Sequence, residues 1–448
     1  MTQAPALLAI AWLVPGAGML LAGRLLPLPM LIMFVALVVA LFYFAMRRLP
    51  VGWPRVGDTR RVPGGALLLM MVIAAGFAVW QASFRSEPVL TAGDPGVYLQ
   101  YGYWIAGHGT ARIPTSAALF GGSSGLDFAT AGFTVSGASL TPSFLPGLPL
   151  VLAGGAWLGG LGGVLLVPAA LGGCAVLSFG GLVGRLCGAW WAVAAELVLA
   201  LCLPEIYVAR TPMSEPLVQV LLFGGLCLCI DSLVPSRVSG GRGLALAGFG
   251  GLALGLTVLA SIGSLGMLLP AFPVVAVLFV ARKPQAAPFW LGLFSGIGIG
   301  LAAGLMLARA YLSSLSAQLH LIGLSAAGFG VVTVLLAPLA LPKARSWARR
   351  ICAYRLSFKW FKGQKLGFPS LGVVLAALAL ALPVLVLAAM AVRPYLQTVR
   401  GQIEPSMITA VASLQRLERL PVDGTRQYYE TSLYWVFWYL GVPAVLLA

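Results

Sequence analysis

Residues 91–113 read TAGDPGVYLQYGYWIAGHGTARI and form the one long polar and aromatic segment in a chain of hydrophobic runs. Asp94, Tyr98, Tyr101 and His108 recur at spacings that place them on one face of a helix. A carboxylate, two phenols and an imidazole on one helical face can bind or activate a polar substrate. This segment is therefore a candidate functional site.

The same segment also contains ordinary helix boundaries. Asp94 is typical of an N-cap, and Pro95 after it suits the first helical position. Gly109 is a common residue at the end of a helix. The segment alone is therefore also consistent with a purely structural helix, and only the rest of the chain can distinguish the two interpretations.

The composition of the chain excludes a soluble globular protein. Of its 448 residues, 60% are hydrophobic and 9% are charged, whereas soluble domains contain about 25% charged residues. The chain has 56 Gly residues, and small residues allow transmembrane helices to pack closely. We therefore expect an integral membrane protein.

About twelve apolar runs are long enough to cross the ~30 Å hydrocarbon core as helices. They are residues 5–23, 26–46, 63–81, 158–183, 189–208, 214–233, 244–261, 263–281, 288–309, 319–341, 368–391 and 431–448. We therefore expect an all-α fold, a polytopic transmembrane helical bundle that forms one domain over residues 1–448, with no soluble domain. The last run has no polar flank after it, so we also expect a longer natural protein.

The positive charge predicts the orientation of this bundle. The net charge is +16, and its excess falls in predicted loops on one side, which the positive-inside rule assigns to the cytoplasm. The basic residues are mostly Arg, as in proteins of high-GC bacteria. We therefore expect a bacterial plasma membrane protein with a cytoplasmic N-terminus, and no nucleic-acid partner.

Three predicted loops are long. Residues 83–147 form an external loop whose end, TPSFLPGLPLVLAGG, predicts a helix that lies on the interface or dips into it. Residues 342–367 form a cytoplasmic loop in which basic and aromatic residues alternate, as in an amphipathic anchor on anionic lipid. Residues 393–430 form a second external loop with apolar residues at helical spacing, which predicts another interfacial helix.

Several chemistries have no support in the sequence. Motifs for nucleotide hydrolysis, dinucleotide redox chemistry and common hydrolases are absent, and the six Cys residues predict neither a disulfide framework nor a metal site. The predicted external face instead collects acids, Arg, His and Tyr, which suggests work on a lipid-bound anionic substrate. These residues are Asp94, His108, Asp127, Glu205, Arg210, Glu215, Arg309, His320, Arg393, Arg400, Tyr428, Tyr429 and Glu430.

Three segments, in order, resemble the GT-C superfamily of integral-membrane glycosyltransferases. They are TAGDPGVYLQYGYWIAGHGTARIP after an early span, TPSFLPGLPLVLA before a glycine-rich span, and ARTPMSEPLVQVLL at the start of another. The pattern is most similar to the protein mannosyltransferase and aminoarabinose transferase branch, and it covers roughly residues 63–340.

The resemblance implies a function and a catalytic residue. Such enzymes transfer a sugar from a polyprenyl-phosphate donor, generally with inversion, to a glycan, lipid or protein acceptor on the extracytoplasmic face. The family's acidic residue in the first large external loop corresponds to Asp94, which we expect to act as general base. Tyr98 and Tyr101 would line the sugar pocket.

Two departures from the family pattern bear on metal use. Many relatives have paired acids at the position of Asp94, but here Pro95 and Gly96 follow. We therefore predict no metal ligands, and use of a divalent cation stays open. Glu215 is either the second acid or an acid favoured at a helix start behind Ser214.

The other candidates also have two interpretations each. Arg210 or Arg393 could bind the lipid phosphate, although an Arg at a helix end is also favoured by the helix dipole and by snorkelling. Tyr428 and Tyr429 fit either a phosphate contact or an interfacial aromatic belt. His108 and His320 are structural or contact the acceptor. Glu196, in mid-span, is a functional or a paired core acid.

Two other functions remain alternatives to a glycosyltransferase. A flippase or transporter of lipid-linked glycans would have charged residues deep in its spans and broken helices in matching halves, whereas here most ionisable groups lie at predicted outer ends. A non-catalytic scaffold of cell-envelope enzymes would need no acid at position 94.

Overall fold

The chain forms two units, residues 1–340 and 341–448. The computed structural model describes residues 1–46, 64–88, 93–233 and 241–316, except 123, 124, 126, 127, 129 and 131. It also describes residues 319–320, 323–324, 346, 350, 357–359, 365–367, 388, 392 and 405–419.

The first unit is a helical bundle. Its helices are α1 (Ala4–Leu21), α2 (Pro27–Met46), α3 (Gly64–Ser83), α4 (Asp94–His108), α5 (Gly147–Leu186), α6 (Ala189–Ala200), α7 (Leu203–Arg210), α8 (Glu215–Leu233), α9 (Gly241–Ala260), α10 (Ser264–Leu268), α11 (Ala271–Val280), α12 (Ala286–Leu307) and α13 (Arg309–Ser314). Within the described residues, seven helices are long and apolar enough to cross a membrane, or eight if α6 and α7 together form one span. The expected membrane bundle is thus confirmed. Almost all of the runs at 319–341, 368–391 and 431–448 lies outside the described residues, so the count of twelve stays a prediction.

Two of the predicted continuous spans are wrong in detail. The run at 189–208 is the helix pair α6 and α7, which are bent by 67° with respect to each other. The run at 263–281 is divided into the short helices α10 and α11. Pro204 lies in the first turn of α7 and Pro270 directly precedes α11, and proline has no N–H to continue a preceding helix.

The helix α5 joins the predicted interfacial helix to the predicted span that follows it. It is broken where Gly159 and Gly160 leave the helical region, with Gly160 at φ 56°. The segments on either side of the break are in backbone contact, since a β-carbon on Gly163 would collide with the carbonyl oxygen of Gly155. Glycines at these positions therefore permit both the break and the close approach.

The helices α9 and α12 pack with their backbones in contact. A β-carbon at Gly251 or Gly255 of α9 would overlap the backbone of α12, and one at Gly292 or Gly296 of α12 would overlap the backbone of α9. Small residues four apart on both helices give this kind of close packing in membranes. The glycine-rich composition thus becomes a specific helix interface.

A small antiparallel sheet follows α4 and precedes α5 along the chain. Its strands are β1 (Ile113–Pro114), β2 (Phe133–Ser136) and β3 (Ser139–Pro142), in the order β1-β3-β2. The residue Val135 pairs with Leu140 across a tight turn in which Gly137 has φ 61°. The sequence predicts an all-α fold with an interfacial helix at the end of this loop, and the sheet is an element that it did not predict.

Several chain segments meet around α4. The backbone N–H of Leu25, between α1 and α2, donates to the carbonyl oxygen of Gly109 at 3.0 Å. Gly147 at the start of α5 packs directly on the backbone of Leu259 in α9, and Leu145 lies against Gly304 near the end of α12. The start of α5 therefore lies beside the ends of α9 and α12, and Gly102 of α4 packs on Leu152 of α5.

A polar cluster joins the start of α1 to the ends of α5 and α8. Arg185 makes a bidentate ion pair with Asp231, with Nε–Oδ1 at 3.0 Å and Nη2–Oδ2 at 2.9 Å. The side chain of Gln3 also donates to Asp231, and Arg185 donates to the hydroxyl of Thr2 at 2.9 Å. Within the described bundle, Arg185 and Asp231 thus have polar partners for their charged groups.

The second unit contains three described elements. The strands β4 (Ser357–Lys359) and β5 (Lys365–Gly367) form an antiparallel pair inside the predicted basic loop. The helix α14 covers Pro405–Leu417, where the sequence predicts a helix. The proposed lipid contacts of both segments stay predictions.

Candidate functional site

The catalytic candidate Asp94 is the first residue of α4. Gly93, and not Asp94, is the N-cap, with φ −155° and ψ 167°, and Pro95 follows in the first turn. No side-chain hydrogen bond caps this helix, which corrects the expectation that the carboxylate is its N-cap. Asp94 is exposed, so its carboxylate is accessible to solvent and to a substrate.

Glu215, from a distant part of the sequence, lies near Asp94. It is the first residue of α8 and is also exposed, and the two carboxylates are close enough to interact electrostatically. Each stands at a helix N-terminus, where the helix dipole favours negative charge. The structure thus brings together the two acids that the sequence could only name as candidates.

Tyr98 connects the two helices that carry these acids. Its side chain is 5% exposed, and its hydroxyl shares a hydrogen bond with that of Ser214, in which either can donate. Burial raises the pKa of Tyr98 above its usual value, and the negative charges of Glu215 and Asp94 also raise it, while the hydrogen bond to Ser214 lowers it. The phenol therefore stays protonated at neutral pH and holds α4 against α8.

Aromatic rings extend from Tyr98 to α13. The Tyr98 ring stacks on Phe144 with ring centroids 4.6 Å apart, and Phe144 contacts Tyr311 at 5.8 Å. Burial raises the pKa of Tyr311, and the charge of Asp94 raises it further. Tyr311 is therefore a second neutral phenol in the electrostatic field of Asp94.

A cavity of about 620 Å³ lies on another side of α13. Its polar residues are Arg309, Ser313, Ser316 and His320, and five leucines form most of its remaining wall. The cavity therefore combines a cation, an imidazole and hydroxyl groups with apolar walls. Leu312, next to Tyr311, also lines it, so α13 lies between the cavity and the ring stack.

Arg210 does not join the two acids. Its Nε donates to Oε1 of Gln81 at 2.7 Å. Its guanidinium also lies 5.5 Å from the ring centroid of Trp80 and 5.4 Å from that of Phe84. These contacts attach the end of α7 to the end of α3 and support the structural interpretation of Arg210.

Tyr101 and His108 also lie apart from the acids. Tyr101 is fully buried, so it cannot contact a sugar in this arrangement, and burial raises its pKa. His108 is stacked on Trp104, with ring centroids 3.5 Å apart, at the opposite end of α4. The helical rise places it roughly 20 Å from Asp94.

The remaining predicted residues divide into two groups. His320 lines the cavity beside α13. Arg393, Tyr428, Tyr429 and Asp127 lie outside the described residues, so their roles stay predictions.

Sequence reasoning gave no site role to two residues that the structure places here, Ser214 and Tyr311, and it named Arg309 only among the residues of the external face. Ser214 was considered only as the residue before a helix start. Arg309 and Tyr311 directly follow the apolar run of α12, and a polar and aromatic pair just after a span could have indicated them.

The described residues contain no group of three or more His, Cys, Asp or Glu side chains arranged to hold a metal ion. Asp94 and Glu215 supply two carboxylates, which could contribute oxygen ligands to a divalent cation only together with other donors. The arrangement itself offers exposed carboxylates for proton transfer next to protonated phenols.

Comparisons with known proteins returned no match. No protein-family model matches the chain, and neither a curated protein nor a solved structure is detectably similar to it.

Proposed function

We propose that this chain is a membrane glycosyltransferase that transfers a sugar from a polyprenyl-phosphate donor to an acceptor hydroxyl on the extracytoplasmic face. The pairing of Asp94 and Glu215 carries the proposal. Two exposed carboxylates at helix starts are available to a substrate. The buried Tyr98 beneath them fixes the relative position of α4 and α8.

In this proposal Asp94 is the general base. Its carboxylate takes the proton of the acceptor hydroxyl while that oxygen forms a bond to the anomeric carbon of the sugar. The bond between the anomeric carbon and the phosphate oxygen breaks, and the polyprenyl phosphate leaves. A positioned base of this kind contributes about 10²–10⁴-fold to the rate.

The cavity beside α13 supports a lipid-phosphate donor. Negative charge develops on the leaving phosphate, and it is stabilised by a nearby cation or hydrogen-bond donor. Arg309 and His320 supply such groups, and the leucine walls suit an isoprenoid chain. The donor would then extend from the cavity past α13 toward Asp94.

The proposal is tested by sugar transfer in membranes that contain the chain. The probes are polyprenyl phosphates that carry radiolabelled mannose, glucose, galactose or arabinose, and the measurement is the rate at which label leaves the donor lipid fraction. We expect transfer with one of them, reduced at least about a hundredfold by Asp94→Asn. Glu87→Gln, which changes an exposed acid after α3, should leave the rate unchanged. Full activity of the Asp94→Asn protein would remove the proposed base.

The two arginines should differ in their effects on donor use. Arg309→Gln is expected to raise the donor concentration needed for half-maximal rate by roughly ten- to a hundredfold, because a charged hydrogen bond contributes roughly 1.5–3 kcal/mol. Arg210→Gln should change it little, since that guanidinium already donates to Gln81. Donor titrations of both variants make this comparison, and the reverse ranking would move the phosphate site to α7.

A further inference from the structure

The bent helix pair α6 and α7 carries two buried acids that the proposed transfer reaction does not use. Glu196 of α6 has no exposed surface, and Glu205 of α7 is 2% exposed. The two helices meet at the 67° bend. In a membrane, broken helices and buried ionisable residues mark ion and proton sites more often than stabilising contacts.

Glu196 has no partner among the described residues. Both of its carboxyl oxygens are buried without a hydrogen bond, and its carboxyl group lies so close to Gly180 of α5 that a β-carbon there would collide with Oε1. No charged group in the described part of the chain interacts electrostatically with this buried carboxyl. The charged residues of neighbouring helices have other contacts, since Arg185 pairs with Asp231 and Arg210 donates to Gln81.

Glu205 has one hydrogen bond and no cationic neighbour. Its Oε2 accepts from Nε2 of Gln219 at 2.7 Å, and its Oε1 has no partner within the described structure. The groups that act on it in the described part of the chain are the amide of Gln219 and the carboxylate of Glu215, which has the same charge. If Glu205 were ionised, its buried negative charge would therefore lie near the negative charge of Glu215.

A carboxylate is stable in such surroundings only when a cation or several donors compensate its charge. Neither acid has that compensation among the residues that the structure describes, whereas the neutral form requires none. We propose that α6 and α7 form a proton-binding element in which Glu196 and Glu205 each bind a proton, and that Glu196 is a neutral carboxylic acid at neutral pH. The ligand is a proton, and its release from Glu196 would require that water reach the contact between α5 and α6.

The test measures protonation directly and does not depend on sugar transfer. Infrared spectra of the purified chain in an ester-free detergent at neutral pH should contain the carbonyl stretch of neutral carboxylic acids, and this band should shift in D₂O. Glu196→Gln and Glu205→Gln should each remove part of this band, and Glu196→Gln should leave the ionised carboxylate bands nearly unchanged. Two matched controls, Glu87→Gln at an exposed acid and Asp231→Asn at an ion-paired one, should instead remove carboxylate intensity.

Two results would overturn the proposal. One is loss of ionised carboxylate intensity, and not of neutral-acid intensity, in the Glu196→Gln or Glu205→Gln protein. The other is the absence of a D₂O-sensitive neutral-acid band from the spectrum of the unmodified chain at neutral pH. This result needs no variant, so it applies even if a variant does not fold. Either result leaves the glycosyltransferase proposal untouched, and failure of sugar transfer would leave this one untouched.

Discussion

Replacement of Gly255 by leucine is expected to lower the yield of folded protein in the membrane at least tenfold. A β-carbon at this position would overlap the carbonyl oxygen of Leu293 in α12, and backbone atoms cannot move aside as a flexible side chain can. The two helices would have to separate along their whole contact. Inserted methylenes in a well-packed core cost about 1–3 kcal/mol even where side chains can adjust, and here the cost should be larger.

The matched control is Gly298→Leu on α12. Gly298 is exposed and has open space around its β-carbon position, so leucine there should face lipid without a clash. Fluorescence-detected size-exclusion chromatography of tagged variants measures the folded fraction. Equal monodisperse peaks for the two variants would show that α9 and α12 do not need backbone contact.

The second large effect concerns the acid pair. We expect Asp94→Asn to lower the transfer rate about a hundredfold, Glu215→Gln about tenfold, and the double variant no more than Asp94→Asn alone. Residues that act as one unit give such non-additive losses. The four proteins are compared by initial rates at one saturating donor concentration, and the folded fraction of each is measured in parallel.

The alternatives for Glu215 give different rate patterns. Independent roles for the two acids would make the double variant about a thousandfold slower, since separate effects multiply. No effect of Glu215→Gln would mean that this residue serves only the start of α8, as its position behind Ser214 also allows. Glu87→Gln again serves as the matched exposed acid.

The sequence predicted the membrane helices well because length and apolarity determine them. The apolar runs of α1, α2, α3, α8, α9 and α12 correspond to single helices near the predicted bounds. The predictions were wrong where the backbone breaks inside an apolar run, at Pro204 and Pro270, because apolarity alone gives no signal for such a break. The sheet after α4 was missed for a related reason, since two-residue and four-residue strands have almost no periodic pattern.

The site was predictable residue by residue but not as an arrangement. Asp94 stood out because it opens the one long polar and aromatic segment. Its closeness to Glu215 depends on how α4 packs beside α8, and no local pattern encodes that packing. Tyr101 is a residue that the sequence placed wrongly. It shares a helical face with Asp94, but its side chain is buried in the core, although its polar hydroxyl group would favour an exposed position.

The contacts that link the rings of Tyr98, Phe144 and Tyr311 have a kinetic consequence for the proposed reaction. Tyr311 belongs to α13, which also borders the leucine-lined cavity, so a lipid that fills the cavity and displaces α13 must also move the rings under the carboxylates. The two substrates would then add in a fixed sequence, the lipid first, and initial-rate plots should show compulsory-order rather than random kinetics.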